Sequence, residues 1–178
     1  MAKKSDLNSD RIFLHDKPQD EVVLRTKAEE FKFDELSLKE IKDLVVSMRK
    51  MMRKAKGVGL SANQIGLPYR MFVAEVPDSS GNTKFYCVFN PKLEKLEAKE
   101  LVDEGCLSVP GVYGQIERYD KVILKGQDVK GKILKIKAWG LLAQVFQHEL
   151  GHLNGELFID KVKRLYEIEG VKVEAKKK

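Results

Sequence analysis

The sequence predicts an α+β fold, with antiparallel β-sheets packed around a central helix and a second helix nearer the N-terminus. Three observations predict it. Apolar residues recur at helical spacing in two separate segments, the stretch between them breaks into short β-branched and aromatic runs, and a chain of 178 residues suits one core. At 43% hydrophobic and 34% charged residues the chain has ample apolar surface to bury, far from the composition of a disordered tail. We read a single domain over residues 1–178, with a core from about 20 to 160 and a basic tail from 161 to 178.

The first element runs from Leu38 to Ala55, where Ile41, Leu44, Val45, Met48 and Met51 form one apolar stripe. Ser37 and Glu40 stand where each side chain satisfies a backbone N–H that the helix start leaves free, and Gly57 is the expected stop. From Tyr69 to Lys137 the chain reads as strands. MFVAEV and FYCVF flank the loop DSSGN, and KVILKGQ and KILKIKA flank DVKG, so two hairpins are expected. Helical spacing returns from Trp139 to Asn154, with Leu141, Val145, His148 and His152 near one stripe and Gly155 as the stop. His15, in the polar segment HDKPQD, is expected to be exposed.

Several classes of protein are disfavoured at once. No apolar run approaches the roughly 18 residues of a membrane span, and the opening MAKKSDLNSDRIF lacks the apolar stretch of a signal peptide. A cytoplasmic location is expected. Two cysteines, Cys87 and Cys106, are too few for an extracellular disulfide framework. The net charge is +6, but seven Lys/Arg against three Glu between Lys161 and Lys178 supply +4 of it. The balanced remainder predicts neither a DNA-binding face nor a membrane surface; at most the basic tail touches a polyanion such as RNA.

The strongest chemical signal is HELGH, residues His148 to His152. Imidazoles at i and i+4 project from one face of a helix, close enough to share a metal ion, with Glu149 beside them to take a proton from metal-bound water. A catalytic site needs a third ligand and an open position. The metzincin pattern is excluded because the residue six positions after His152 is Phe158. Glu167 is a weak candidate; Cys106 in EGCLSVPG is better, since glycine and proline there let backbone approach a centre closely. In GVGLSANQIG, Gly57, Gly59 and Ala62 match a dinucleotide fingerprint, but the segment follows a helix where that motif must follow a strand. The glycines suggest backbone close to a ligand instead, and Gln64 offers an amide to a developing oxyanion.

Taken in order, GVGLSANQ, EGCLS and QHELGH resemble the motifs of the peptide deformylase family, with DEVVLRTKAEEF and FNPKLE similar to neighbouring segments of that family. The likeness spans about Asp20 to Asp160. It implies a metal held by Cys106, His148 and His152, with Fe2+ the usual ion and Zn2+, Ni2+ or Co2+ able to substitute. It implies removal of the formyl group from the N-terminal methionine of nascent polypeptides by a metal-held hydroxide. Formate is released, and Glu149 is the general acid and base. Gln64 and the backbone N–H of Leu107 would hold the oxyanion, and Gly59 would exchange backbone hydrogen bonds with the peptide. Val58, Val102, Leu141 and Val145 would line the methionine pocket, and Glu104 would orient the loop or the Gln64 amide.

The sequence departs from the family pattern at several points. Gly151 stands where an Asp is usual, at a cost in helix propensity of about 1 kcal/mol. Arg118 is expected to pair with its neighbour Glu117 in place of that lost acid, and Gln144 puts a polar group where the pocket helix is often apolar. The tail after Asp160 resembles no long C-terminal helix; its basic end is a candidate ribosome contact. Two other readings remain at this stage: a zinc peptidase of the H-E-x-x-H type, and a non-catalytic ribosome-associated protein binding RNA through Lys172 to Lys178.

Overall fold

The computed structural model describes residues 11–77 and 80–167. Helix α1 spans Pro18–Leu24, α2 Leu38–Lys54 and α3 Gly140–Leu153. Strands β1 (Gly59–Ser61), β2 (Met71–Pro77), β3 (Thr83–Cys106), β4 (Val109–Gln127) and β5 (Ile133–Trp139) lie side by side in chain order, and β6 (Arg164–Glu167) pairs with β4. Every pairing of named strands is antiparallel. The two expected hairpins are present as β2–β3 and β4–β5, although Asp78 and Ser79 of the first loop lie outside the described residues. The α+β class stands. The expected separate sheets are joined in one sheet, because β3 and β4 run through 24 and 19 residues and bend at register shifts near Phe89, Leu93 and Gly105.

α2 starts as its sequence demands. The Ser37 hydroxyl accepts from the Glu40 N–H at 3.3 Å while the Glu40 carboxylate accepts from the Ser37 N–H at 2.8 Å. Its end differs from the expected glycine stop. Lys56, at φ 57°, takes the left-handed position, its N–H donating to the Arg53 carbonyl and that of Gly57 to Met52, both at 3.0 Å. Gly57 serves another purpose, since a side chain there would collide with Leu107. The buried face of α2 (Ile41, Leu44, Met48, Met52) packs with Leu60, Met71, Val73 and Phe89 in one apolar cluster.

A second cluster sets α3 against the sheet, joining Ala143, Val145, Phe146 and Leu153 to Phe72, Ala74, Val122 and Leu124. The central helix is therefore held against β2, β4 and β5, with Gln144, His148 and Glu149 turned toward the cavity at the loops. α1 and β6 are additions to the expected elements. α1 is tied down by Asp20, whose buried carboxylate accepts from both terminal nitrogens of Arg11 at 2.5 and 2.6 Å. Residues 168–178, which include Lys172 to Lys178 of the basic tail, lie outside the described residues.

Candidate active site

Three segments meet at one cavity of about 700 Å³: the glycine loop after α2, the turn between β3 and β4, and the outer turns of α3. Val58, Gly59, Gln64, Glu104, Cys106, Leu107, Leu141, Val145, His148 and Glu149 all line it. His152 lies just behind, 1% exposed. Val102 does not line the cavity. Facing Ile116 across the β3–β4 pair, its side chain packs instead with Val109, Ile116 and Phe158.

Helical spacing brings the rings of His148 and His152 to an Nε2–Nε2 separation of 3.2 Å, and the bend at Gly105 carries the Cys106 thiol to 3.1 Å from His152 Nε2. These three ligand atoms all lie within 4.8 Å of one another. Bonds of about 2.0–2.3 Å from a shared ion at tetrahedral angles set nitrogen and sulfur donors roughly 3.3–3.5 Å apart, so the three residues fit a metal. The His148 ring is oriented by Glu104, 2.9 Å from its Nδ1, which leaves Nε2 to face the thiol.

Glu104 is itself held by Arg118 in a two-pronged pair of 2.7 and 2.8 Å. Burial works to raise its pKa, but the hydrogen bonds from Arg118 and His148 win and hold it down to about 2. Arg118 thus pairs with Glu104, not with the expected Glu117, whose carboxylate faces Lys99 and Lys163. The reason is strand geometry: successive side chains alternate faces, so Glu117 and Arg118 point to opposite sides of β4. Burial also opposes a charge on His148, but Cys106 and Glu104 push its pKa well up, while burial and His148 push His152 well down.

Glu149 is 3% exposed on the cavity floor, and burial raises its carboxyl to about 7. Its Oε2 accepts from the Ser61 hydroxyl at 2.6 Å, and that hydroxyl lies 3.0 Å from the Glu149 carbonyl. Gln64 is fixed at both ends of its amide. Oε1 accepts from the Ser61 N–H at 2.8 Å, while Nε2 donates to Ser108 Oγ at 3.1 Å and lies 3.7 Å from the Cys106 sulfur.

The sequence profile of the family described as polypeptide deformylase matches residues 11–167. The chain belongs to the polypeptide deformylase family. It is 43% identical over 145 residues to the peptide deformylase of Halothermothrix orenii, covering 82% of this chain and 90% of that one. To peptide deformylase 1 of Bacillus anthracis it is 39% identical over 146 residues, covering 82% and 89%. Among solved structures, the peptide deformylase of Thermotoga maritima matches with a TM-score of 0.74 at 36% identity, over 86% of this chain and 97% of that one. A Met-Ala-Ser-bound class I type b peptide deformylase from Acinetobacter baumannii matches with a TM-score of 0.77 at 26% identity, over 85% and 97%.

This deformylase site has members that the sequence reading missed. Ser61 and Ser108 are common polar residues whose neighbours in space, Glu149 and Gln64, are far away in the chain. His15 is half-buried instead of exposed, because its backbone N–H donates to the Ser108 carbonyl at 2.9 Å and draws it against the loop. Tyr113 was invisible for a similar reason: its ring lies over Gly105, where any side chain would strike it. No helix among the described residues is long and apolar enough to cross a membrane.

Proposed function

We propose that this enzyme hydrolyses the formyl amide at the N-terminal methionine of nascent polypeptides, releasing formate and a free amine. The carrying observation is the convergence of the Cys106 thiol and the paired rings of His148 and His152 beside the buried Glu149 carboxylate, in a chain of the deformylase family. The Met-Ala-Ser ligand of the Acinetobacter relative, a peptide beginning with methionine, supports the substrate class. Peptidase chemistry is disfavoured by that family membership and by a cysteine ligand in the third position.

Cys106, His148 and His152 would hold the metal ion, and Fe2+ is the ion we propose, with Zn2+, Ni2+ or Co2+ as substitutes. Such an ion, when bound, would supply Lewis acidity toward the formyl oxygen and a water made nucleophilic near neutral pH. The protein's own groups do the rest. Glu149 Oε2 is occupied by the Ser61 hydroxyl, so Oε1, which lies over Gly59, is the atom that takes a proton from the attacking water and returns it to the leaving nitrogen. Burial, which favours the neutral carboxyl, helps it hold that proton between the two halves of the transfer.

Gln64 Nε2, aimed at the sulfur side of the cavity by the Ser61 and Ser108 bonds, and the Leu107 N–H donate to the oxygen as charge develops on it. Among the described residues β1 pairs only with β2, so its outer edge at Gly59 is open to an added peptide strand. Val58, Leu141 and Val145 give the methionine side chain an apolar wall. Glu104 positions His148. We place the reaction in the cytoplasm, with ribosome contact through the basic tail.

The test is anaerobic purification with elemental analysis, followed by assay of formate release from a formyl-methionyl peptide. Bound metal with formate release is expected; hydrolysis of an unformylated peptide bond without formate would overturn the reading.

A further inference from the structure

The outer face of the β3–β4–β5 sheet, opposite α3, carries a pattern that the reaction does not use. Strand register sorts it into rows. Glu97, Lys121 and Trp139 stand in one row, and Lys95, Ile123 and Lys137 in the next. A third row adds Lys92, Lys125 and Lys135. The inward neighbours Val122, Leu124 and Ala138 pack toward α3, so these rows point to solvent.

Glu97 is paired with Lys95, and Glu94 with Lys125 and Lys135. Lys121 and Lys137 have no ion pair among the described residues. These two lysines flank Trp139, which is 66% exposed, around a shallow cleft of about 240 Å³. That is smaller than the roughly 300–1,000 Å³ that encloses a drug-sized ligand and is open on one side, as a stacking platform is. Along β5, Lys135, Lys137 and Trp139 follow one another at intervals of about 6.6 Å on the same face.

We propose that this face binds single-stranded RNA, with a base stacked on the Trp139 indole and phosphates held by Lys121 and Lys137. Six lysines against two glutamates in and between the three rows leave an excess of positive charge that an acidic backbone complements. The exposed indole distinguishes the site from a merely solvated lysine face, because it offers a flat π surface beside Lys121 and Lys137, which form no ion pair among the described residues although Glu97, paired with Lys95, also lines the cleft. The balanced charge of the sequence outside its tail hid this, since alternation along three strands gathers the lysines on one side. RNA as the partner rests on the proposed function, because a nascent chain emerges beside RNA. The active-site cavity stays open, as it lies among the loops at α3 on the other side of the sheet.

Trp139 is the single tryptophan of the chain, so its emission reports on this face alone. The full-length metal-loaded enzyme is titrated with a ten-nucleotide oligouridylate at low and high salt, and its deformylation of a formyl-methionyl peptide is measured in parallel. Saturable quenching that weakens with salt is expected, and Lys121→Glu with Lys137→Glu should lower the affinity at least tenfold while formate release stays unchanged. Quenching that survives in this double variant overturns the proposal. So does retention of RNA on a filter with no change in tryptophan emission, which would assign binding to the tail. Equal quenching by poly-glutamate would indicate an acidic protein partner and also overturn it. Failure of formate release in the unaltered enzyme would count against the proposed reaction and leave the RNA result to be read separately.

Discussion

The carboxylate of Glu149 fills the space that a side chain on Gly59 would need, so the glycine loop and the helix carrying His148 are fitted to each other at one missing methyl group. Gly59→Ala should therefore keep its metal, because no ligand is displaced, yet lose turnover by about a hundredfold as the Glu149 carboxylate is driven aside. Elemental analysis beside steady-state formate release checks this. An alanine variant with unimpaired kcat would show that the close approach is incidental.

Replacing Glu149 itself separates proton transfer from packing. Glu149→Gln keeps the size of the side chain and its contact with Ser61 but removes the basic oxygen. Metal content should be unchanged and kcat lower by about 10²–10⁴-fold, the usual worth of a positioned acid–base group. Full turnover in this variant would remove Glu149 from its assigned role.

Glu104 links the His148 ring to Arg118, so on the proposed ligand set its removal should be felt in affinity for the ion. Glu104→Gln leaves Arg118 facing a neutral amide and weakens the bond that orients His148 Nδ1. Metal affinity should fall by about 10–100-fold, measured by competition with a chelator. Glu117→Gln, at a residue whose ion pairs among the described residues are with Lys99 and Lys163, should leave that affinity unchanged.

What the sequence disclosed and what it withheld follow one physical division. α2 and α3 were legible because each carries a repeated apolar stripe, and the site motifs because two histidines and a glutamate of the cavity fall within five consecutive residues, His148 to His152. α1 was not, since seven residues starting at Pro18 bury only Asp20 and Leu24 and show no stripe. β6 buries no regular alternation, so RLYE gave no strand signal. The Arg118–Glu104 pair needs the β3–β4 register, in which Glu100 faces Arg118 and Glu104 lies four residues further along. The placement of Val102 likewise depends on which face of β3 turns toward Phe158.

Gly151 offers a gain in stability at a site close to the chemistry. A side chain added there meets nothing nearer than Glu156, at 3.9 Å, which is ordinary contact, and the position is helical. Gly151→Ala should raise unfolding free energy by about 0.8–1 kcal/mol, the difference in helix propensity. Metal content should not change. Gly151→Asp should gain less, because the new carboxylate would stand near that of Glu156. Urea unfolding of the three proteins orders them.

Acid sensitivity should centre on Glu75, whose N–H donates to the Val58 carbonyl at 2.8 Å and so backs the loop that lines the cavity. Its carboxylate is gripped by Arg53 at 2.6 Å and Arg49 at 2.5 Å, and these bonds lower its pKa from 4.5 to about 2. A depressed carboxylate binds fewer protons folded than unfolded. The stabilisation it provides is therefore complete above about pH 5 and disappears as pH falls toward 2. Asp20 behaves alike, since the Arg11 hydrogen bonds also hold it at about 2. Glu75→Gln should be less stable than the parent at pH 7, with the gap closing between pH 5 and pH 2. Urea midpoints at pH 7, 4 and 3 measure that gap, and a constant difference across the series would show that the arginine clamp does not set the acid response.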